Sequence, residues 1–267
     1  MLARYTRILL RFWKNCLLRD LSFRTHFLVH TGGEILWIAM ALVFLKVIFA
    51  NTRQVAGWNE HQYLFLMGAH LLVTSLFEML FFSNCWRISE RVRTGDLDFV
   101  LLRPANAQFL LSFERVDYTT AANLLVACGL CVYSVVALGS PITVGRVLLF
   151  LLLVAAAVAI LYALVFMFAV TSIWFIRQTS MEHLWFYTVS IARYPAEIYR
   201  KFAAGVFWAV FVFVLPVLIV ANLPASVMVR TFDPRMVAYM IAAAVVLLAA
   251  SSLVFRVALR WYRSASS

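Results

Sequence analysis

Residues 147–176 read VLLFLLLVAAAVAILYALVFMFAVTSIWFI and carry no charged side chain. A helix of that length rises about 1.5 Å per residue and is longer than the roughly 30 Å hydrocarbon core of a bilayer. Backbone amides inside hydrocarbon need partners within their own segment or in a closed barrel, and this stretch lacks the period-two alternation of barrel strands. It therefore predicts a membrane-spanning helix.

Apolar stretches of comparable length recur along the whole chain of 267 residues, which is 64% hydrophobic and has a mean hydropathy of +0.91. Soluble domains do not have such a composition. We predict an all-α polytopic membrane protein in which residues 1–267 form a single transmembrane domain with six transmembrane helices. The predicted spans are Phe27 to Ala50, Gln62 to Trp86, Tyr118 to Leu138, Gly145 to Ile176, Phe202 to Leu223 and Met236 to Val257.

The basic residues are distributed unequally between the two sides that these spans define. Of 23 Lys and Arg residues, 18 fall on the side of the two termini and five on the other. The larger set includes four residues between the fourth and fifth spans, namely Arg177, Arg193, Arg200 and Lys201. The positive-inside rule therefore predicts that both termini are cytoplasmic. This topology, together with anionic lipid in the bilayer, explains the formal net charge of +11 without a nucleic-acid partner.

Residues 1–26 precede the first predicted span and contain the basic, amphipathic stretch RYTRILLRFWKNCLLRDLSFR. This segment is too long for the short basic head of a signal peptide and has no small-residue cleavage site in register. It predicts a retained helix that lies in the cytoplasmic interface. A passive anchor and a lever that transmits motion both remain open as its role.

Motifs for catalysis and for nucleotide binding are absent from the sequence. It contains no GxxxxGK[ST] loop, no HExxH and no GxSxG, and the connections on the outer side are too short to fold as a catalytic domain. Cys128 and Cys131 form a CxxC inside the third span, where helix packing explains them better than a metal or redox site. We therefore expect no catalytic residue, no metal and no cofactor on this chain.

The connection between the second and third spans, residues 87–117, has dense charge around a short amphipathic stretch. Gly95 is a natural helix stop because glycine tolerates a positive φ. Acidic and apolar residues alternate from Asp96 to Leu102, and Arg103 and Pro104 then interrupt the run. An apolar stripe among exposed charges predicts a segment that docks into a groove of another protein. A loop that lies on lipid headgroups is the alternative.

Three stretches carry a more specific resemblance: RVRTGDLDFVLLRPANAQF at residues 91–109, ARYPAEIY at 192–199 and LPVLIVANLPASVMV at 215–229. With them, the chain resembles the membrane subunit of an ABC transporter of the ABC-2 type exporter class, in the bacterial branch of six-span permeases. The resemblance implies a cytoplasmic ABC ATPase dimer that carries ATP and Mg. It also implies a homodimer or a second permease subunit, a bacterial plasma (inner) membrane, and export as the direction of transport.

The resemblance also assigns roles along the chain. Residues 87–117 would hold the coupling helix that seats in the ATPase, and residues 1–26 the connecting helix on the inner leaflet. The coupling residues would be Glu90, Arg93, Gly95, Asp96, Leu97, Asp98, Leu102, Arg103 and Pro104. The type-2 exporter fold breaks the outer end of the fifth span into re-entrant helices. The residues where such a break would be needed are Pro216, Asn222 and Pro224.

Two predicted spans carry a polar stripe at helical spacing. The stripes consist of His26, His30 and Glu34 on the first span and His70, Thr74 and Glu78 on the second. The two carboxylates reach similar depth, and a carboxylate inside a membrane usually faces a bundle interior or a cavity. Three roles remain open: a gate in which Glu34 and Glu78 pair with Arg24, Arg87 or Arg177, a route for substrate that includes His70, or a metal site at His26, His30 and Glu34.

The aromatic and basic connection at residues 177–202 predicts either an interfacial anchor or a second contact with the ATPase or with a partner permease. Two other functions also compete with an ATP-driven permease. An ion-coupled secondary transporter would use Glu34, Glu78 and His70 as a relay. A membrane-embedded lipid-modifying enzyme would need a nucleophile or metal cluster near one interface, for which the sequence offers only the His26, His30 and Glu34 stripe.

Overall fold

The structure is a computed structural model that describes residues 9, 11–18, 24–139, 143–175 and 181–262. In these residues it is built of helices, as predicted. Residues 11–18 form α1. The helices that follow are α2 (Arg24–Asn51), α3 (Glu60–Phe77), α4 (Ser83–Thr94), α5 (Leu97–Leu101), α6 (Ala107–Phe113), α7 (Ala121–Leu138), α8 (Val144–Val170), α9 (Met181–Ala192), α10 (Val206–Ala209), α11 (Ile219–Val229) and α12 (Pro234–Trp261).

Short helical segments of other types connect several of these helices. A π-helix at Glu78–Phe82 joins α3 to α4, and a second one at Val210–Val214 continues α10. Segments of 3₁₀-helix lie at Tyr118–Thr120, Thr171–Ile173 and Ala196–Gly205. The segments that are long and apolar enough to cross a membrane in the described part of the chain are Thr31–Asn51, Glu60–Thr94, Tyr118–Leu138, Val144–Ile173 and Pro234–Trp261. They correspond to the predicted first, second, third, fourth and sixth spans.

Local sequence explains where the spans begin. Asn59 accepts a hydrogen bond from the backbone of Gln62, and the Gln62 side chain accepts one from the backbone of Asn59. This capping box fixes the start of α3. The side chain of Asp233 accepts a hydrogen bond from the backbone N–H of Arg235 and so caps α12, in which Pro234 occupies the first helical position.

The core lies where α3, α8, α11 and α12 pack together, with α7 against α3. We call the end of the bundle formed by α4, α5 and α6 the coupling end, because it contains the predicted coupling segment. The segment Thr171–Ile173, which follows α8, packs against α4 and so lies at this end too. The opposite end contains Trp58 before α3 and Arg230 after α11.

The segment after α8 crosses from the coupling end to the opposite end. Trp185 on α9 packs against the rings of Phe77 and Phe82, near the end of α3 that leads into α4. Twelve residues later, Glu197 contacts both Trp58 and Arg230 at the opposite end. The fifth crossing is therefore made by α9 and the residues that follow it. Our prediction that Phe202 to Leu223 is the fifth span is wrong.

Residues 206–229 form a re-entrant hairpin instead. Val206–Val214 and Ile219–Val229 are bent by 89° about a short break. The hairpin is preceded by Glu197 and followed by Arg230, which pair with each other, so it enters and leaves at the opposite end. At about 1.5 Å per residue, each arm is roughly half as long as the 30 Å hydrocarbon core. Hydropathy cannot separate such a hairpin from one continuous span.

Of the three residues that we predicted at the break, one lies in it and two do not. Pro216 lies in the break, where the backbone N–H of Leu218 reaches past the turn to the carbonyl of Phe211 at 3.0 Å. Asn222 and Pro224 lie inside α11 and are buried. A break before α11 needs the proline at 216 only, because its missing N–H and fixed φ already end the π-helical turn.

Because the fifth crossing is made by α9, the predicted distribution of basic residues between the two sides also changes. Arg193, Arg200 and Lys201 follow α9 and move to the side of the opposite end, so that the basic residues divide into 15 and eight rather than 18 and five. The larger number remains on the side of the coupling end. Over the residues that the structure describes, the segment at 177–202 therefore runs between the two ends of the bundle and is not a connection confined to one side.

Candidate functional site

The predicted coupling segment forms an elbow at the coupling end. Helix α4 ends at Thr94, and Gly95 follows with φ of +79°, a conformation that is strained for any residue with a Cβ. Thr94 Oγ1 donates to Asp96 Oδ2 at 3.0 Å, which closes the turn. Helix α5 then begins at Leu97.

Helix α5 has one buried face and one exposed face. Leu97 and Val100 are buried in the core of the bundle, Leu97 completely. Phe99 and Leu102 are 67% and 81% exposed. We call the exposed apolar and basic surface formed by Phe99, Leu101, Leu102, Arg103 and Pro104 the coupling face. Leu97, one of the predicted coupling residues, is enclosed by this chain, so its side chain attaches α5 to the bundle and is not part of the exposed surface.

The acidic residues of the segment also divide between the two faces. Glu90 forms an exposed ion pair with Arg93 at 2.6 Å, on the outer surface of α4. Asp98 lies beside Tyr262, where α12 ends. Burial and the neighbouring Asp98 carboxylate raise the pKa of Tyr262 to about 12. Asp98 therefore has a partner within this chain.

Two sets of polar contacts, which we call the brace, join α4 to residues 114–115. Arg91 on α4 pairs with Glu114 after α6. The buried side chain of Asn84 donates to the carbonyl of Arg115 at 2.7 Å and accepts from its N–H at 2.9 Å. An amide that satisfies both backbone groups of one residue fixes the distance between two segments. These contacts therefore tie α4 to residues 114–115.

The first helix touches the same brace. Cys16 Sγ lies 3.8 Å from the carbonyl oxygen of Glu114, and Tyr118 donates to the carbonyl of Trp13 at 3.5 Å. Helix α1 thus packs at the coupling end, where an interfacial helix was predicted. Residues 1–8, 10 and 19–23 of that predicted helix lie outside the described residues.

The two intramembrane carboxylates have neutral hydrogen-bond donors. Glu34 Oε2 accepts from Asn123 Nδ2 at 3.2 Å, and Glu78 Oε1 accepts from Trp185 Nε1 at 2.9 Å. Within the described part of the chain neither carboxylate forms an ion pair, so the predicted pairing with Arg87 is not found. The side chain of Arg24 and all of Arg177 lie outside it.

The histidines do not assemble into a metal site in the part of the chain that the structure describes. His70 is buried on α3, and its Nδ1 has no hydrogen-bond partner among the described residues. The side chains of His26 and His30 lie outside them. Over the described ranges no group of three His, Cys, Asp or Glu side chains is arranged to hold a metal ion.

Asn222 has a structural role that the sequence pattern did not reveal. Its Oδ1 accepts from the backbone N–H of Ala196 at 2.9 Å, and its Nδ2 donates to the carbonyl of Tyr194 at 3.1 Å. This side chain ties the re-entrant hairpin to the end of the fifth crossing. A lone asparagine in an apolar helix was the available signal, because a buried amide needs partners.

A clamp at the opposite end was also missed. Glu197 accepts from Arg230 at 3.2 Å and from the indole N–H of Trp58 at 3.2 Å, and the Arg230 guanidinium lies 4.6 Å from the centre of the Trp58 ring. The three residues join the α2–α3 loop, the end of the fifth crossing and the end of the hairpin. Sequence reasoning could not find this clamp because it placed Glu197 on the other side of the membrane.

Comparison with known families agrees with this architecture. A family profile described as "ABC-2 family transporter protein" matches residues 35–266, nearly the whole chain. The chain belongs to the ABC-2 family. It is a multi-pass membrane permease of an ABC transporter, a class of transport component that is generally non-catalytic. Searches of curated proteins and of solved structures gave no significant match to this ABC-2 permease.

Proposed function

We propose that this ABC-2 permease forms half of the translocation pathway of an ATP-driven exporter. A separate cytoplasmic ATPase dimer, which binds ATP and Mg, docks at the coupling face, and a second copy or a second permease completes the pathway. Both termini and the coupling end are cytoplasmic, in a bacterial inner membrane. The surplus of basic residues on that side supports this orientation.

The two-faced helix α5 carries the proposal. Leu97 and Val100 attach it to the core, whereas Phe99 and Leu102 point outward among the charges of the coupling end. Apolar side chains that project from such a helix suit insertion into a groove of another protein. A loop that only rested on headgroups would not need the brace that Arg91 and Glu114 form behind it.

The proposed mechanism uses that brace. Closure of the ATPase dimer on ATP displaces α5, and α4 moves with it because Leu97 and Val100 are packed in the core. Two packings of the paired permeases then alternate, so that the pathway opens to one side at a time. Hydrolysis resets the ATPase, and the permease contributes no catalytic residue.

The test compares two exposed phenylalanines at the coupling end. Phe99 is 67% exposed on α5, and Phe175 is 68% exposed after the Thr171–Ile173 segment. We expect Phe99→Ser, alone or with Leu102→Ser, to reduce copurification of the cytoplasmic ABC ATPase and to uncouple transport. Phe175→Ser should leave both unchanged. Full ATPase stoichiometry with the double variant would show that the coupling face is not the docking site.

A second candidate, an ion-coupled secondary transporter, has one observation in its favour. Glu34 and Glu78 interact electrostatically with each other, and their described partners are the neutral groups of Asn123 and Trp185. Such carboxylates suit a proton relay. In that case Glu78→Gln would abolish transport while Phe99→Ser would not, and transport would continue without ATP hydrolysis.

A further inference from the structure

A groove opens sideways from the bundle between α2 and the end of the fifth crossing. It encloses about 260 Å³ and is lined on one side by Trp37, Met40 and Phe44 of α2, and on the other by Tyr63, Met67 and Arg193. The three α2 side chains are each more than half exposed. The mouth of the groove therefore faces the hydrocarbon that surrounds this membrane protein.

Arg193 places a positive charge inside this apolar groove. It lines the groove beside Tyr63, the fourth residue of α3, and interacts electrostatically with His70, the eleventh, so it lies in the part of the bundle nearer the opposite end. None of the described carboxylates pairs with it. Glu197, one turn further along the chain, pairs with Arg230 instead. An arginine at membrane depth is costly without an anionic partner.

The surrounding groups suit an acidic headgroup with a hydrocarbon chain. Tyr194 lines the same groove and interacts with Tyr63, so that two phenols accompany the guanidinium. A guanidinium binds phosphate oxygens in a bidentate manner, and phenols donate further hydrogen bonds. From Trp37 to Ile48 the groove follows α2 for about 16 Å at 1.5 Å per residue, roughly the depth of one leaflet.

We propose that this groove binds an anionic phospholipid of the membrane, with its phosphate at Arg193 and one acyl chain along α2. The site belongs to the leaflet at the opposite end, because Tyr63 and Arg193 lie towards that end of α3. The inference goes beyond the proposed transport function, since lipid binding requires neither the ATPase nor a transport cycle. It can therefore fail or succeed independently.

The experiment uses the purified full-length permease in an uncharged detergent. Short-chain phosphatidylglycerol or phosphatidylcholine is titrated in, and bound lipid is counted by native mass spectrometry. We expect one phosphatidylglycerol molecule to bind in preference to phosphatidylcholine. Arg193→Gln should weaken this binding by about tenfold or more, because a hydrogen-bonded charge partner is lost. Arg193→Lys keeps the charge but loses the bidentate geometry, so its affinity should lie between those of the wild type and Arg193→Gln.

Two further variants separate this site from a general attraction of lipid to basic residues. Arg200 lies at the same end, exposed and stacked over Trp208, and Arg200→Gln should leave the affinity unchanged. Ala41→Phe fills the apolar part of the groove and should weaken phosphatidylglycerol binding although every charge remains.

Three results would overturn the proposal. They are equal binding of both lipids to the wild type, an equal loss with Arg200→Gln and Arg193→Gln, and full competition by inorganic phosphate alone. If Arg193→Gln does not fold, Ala41→Phe and Arg193→Lys still decide between these outcomes.

Discussion

The clamp at the opposite end gives the sharpest prediction about the fold. Glu197 accepts one hydrogen bond from Arg230 and one from Trp58, so that three separate segments meet at one carboxylate. Glu197→Gln keeps the shape of the side chain and one acceptor oxygen but removes the charge. Arg230→Gln removes the other charge of the pair. The two changes and their combination form a double-mutant cycle.

The size of the expected coupling free energy follows from the exposure of the ion pair between Arg230 and Glu197. The side chains of Arg230 and Glu197 are 27% and 37% exposed, so the pair is neither fully solvated nor fully buried. Exposed ion pairs contribute about 0.2–1 kcal/mol, and hydrogen bonds to charged groups about 1.5–3 kcal/mol. With partial screening, we expect a coupling free energy of about 1 kcal/mol between Glu197 and Arg230. Each single variant should lower the free energy of unfolding by about 1–2 kcal/mol.

The assay is denaturant unfolding of the purified permease in detergent, followed by tryptophan fluorescence. The ion pair between Lys46 and Glu60, at the same end, is the control, because the Lys46 side chain is 71% exposed. The same cycle at Lys46 and Glu60 should give a clearly smaller coupling. A coupling between Glu197 and Arg230 no larger than that of the control would refute both the clamp and the path of the chain that brings Glu197 there.

Three further predictions address other parts of the chain. Lys201→Cys, in a background without the native cysteines, should react with a membrane-impermeant thiol reagent from the side opposite to Arg103→Cys; labelling from the same side would contradict the fifth crossing. Asn222→Leu should lower the free energy of unfolding by about 2–4 kcal/mol, and with it the melting temperature, because the N–H of Ala196 and the carbonyl of Tyr194 lose their partner. The control is Ser226→Ala, which breaks only a hydrogen bond within α11. Gly95→Ala should destabilise the protein by about 1–2 kcal/mol in thermal unfolding, because the φ of Gly95 is positive. The control is Gly129→Ala, which lies in mid-helix with open space around it and should be neutral or stabilising in the same measurement.

Five of the six crossings could be predicted because bilayer thickness sets a minimum length for a predominantly apolar stretch. The fifth could not. Helix α9 carries polar residues that hydropathy penalises, although Trp185 donates its N–H to Glu78 inside the bundle. The re-entrant hairpin is more apolar, because both of its arms are inserted in the membrane region. Transfer to lipid is the wrong reference for a helix whose polar groups find partners in protein.

The candidate coupling site was predictable in outline but not in orientation. The end of α4 at Gly95 was predicted correctly, because it depends only on the ability of glycine to adopt a positive φ. The alternation from Asp96 to Leu102 indicated an amphipathic segment, but five helical residues do not show which side meets the bundle. Tertiary packing decided that Leu97 is enclosed and that Leu102 is exposed.

The two ends of the molecule are connected through α9. The π-helix at Glu78–Phe82 interrupts the regular hydrogen bonds between α3 and α4, and such segments often occur at functional sites. Trp185 holds α9 to this segment through Glu78, and Glu197 holds the other end of the same crossing to the clamp. One continuous piece of chain therefore connects the π-helical segment beside α4 with the clamp. Trp185→Phe removes the N–H that links this crossing to Glu78, so in this permease it should reduce coupling between ATP hydrolysis and transport while ATPase binding is kept. Unchanged coupling would show that this hydrogen bond does not take part in coupling.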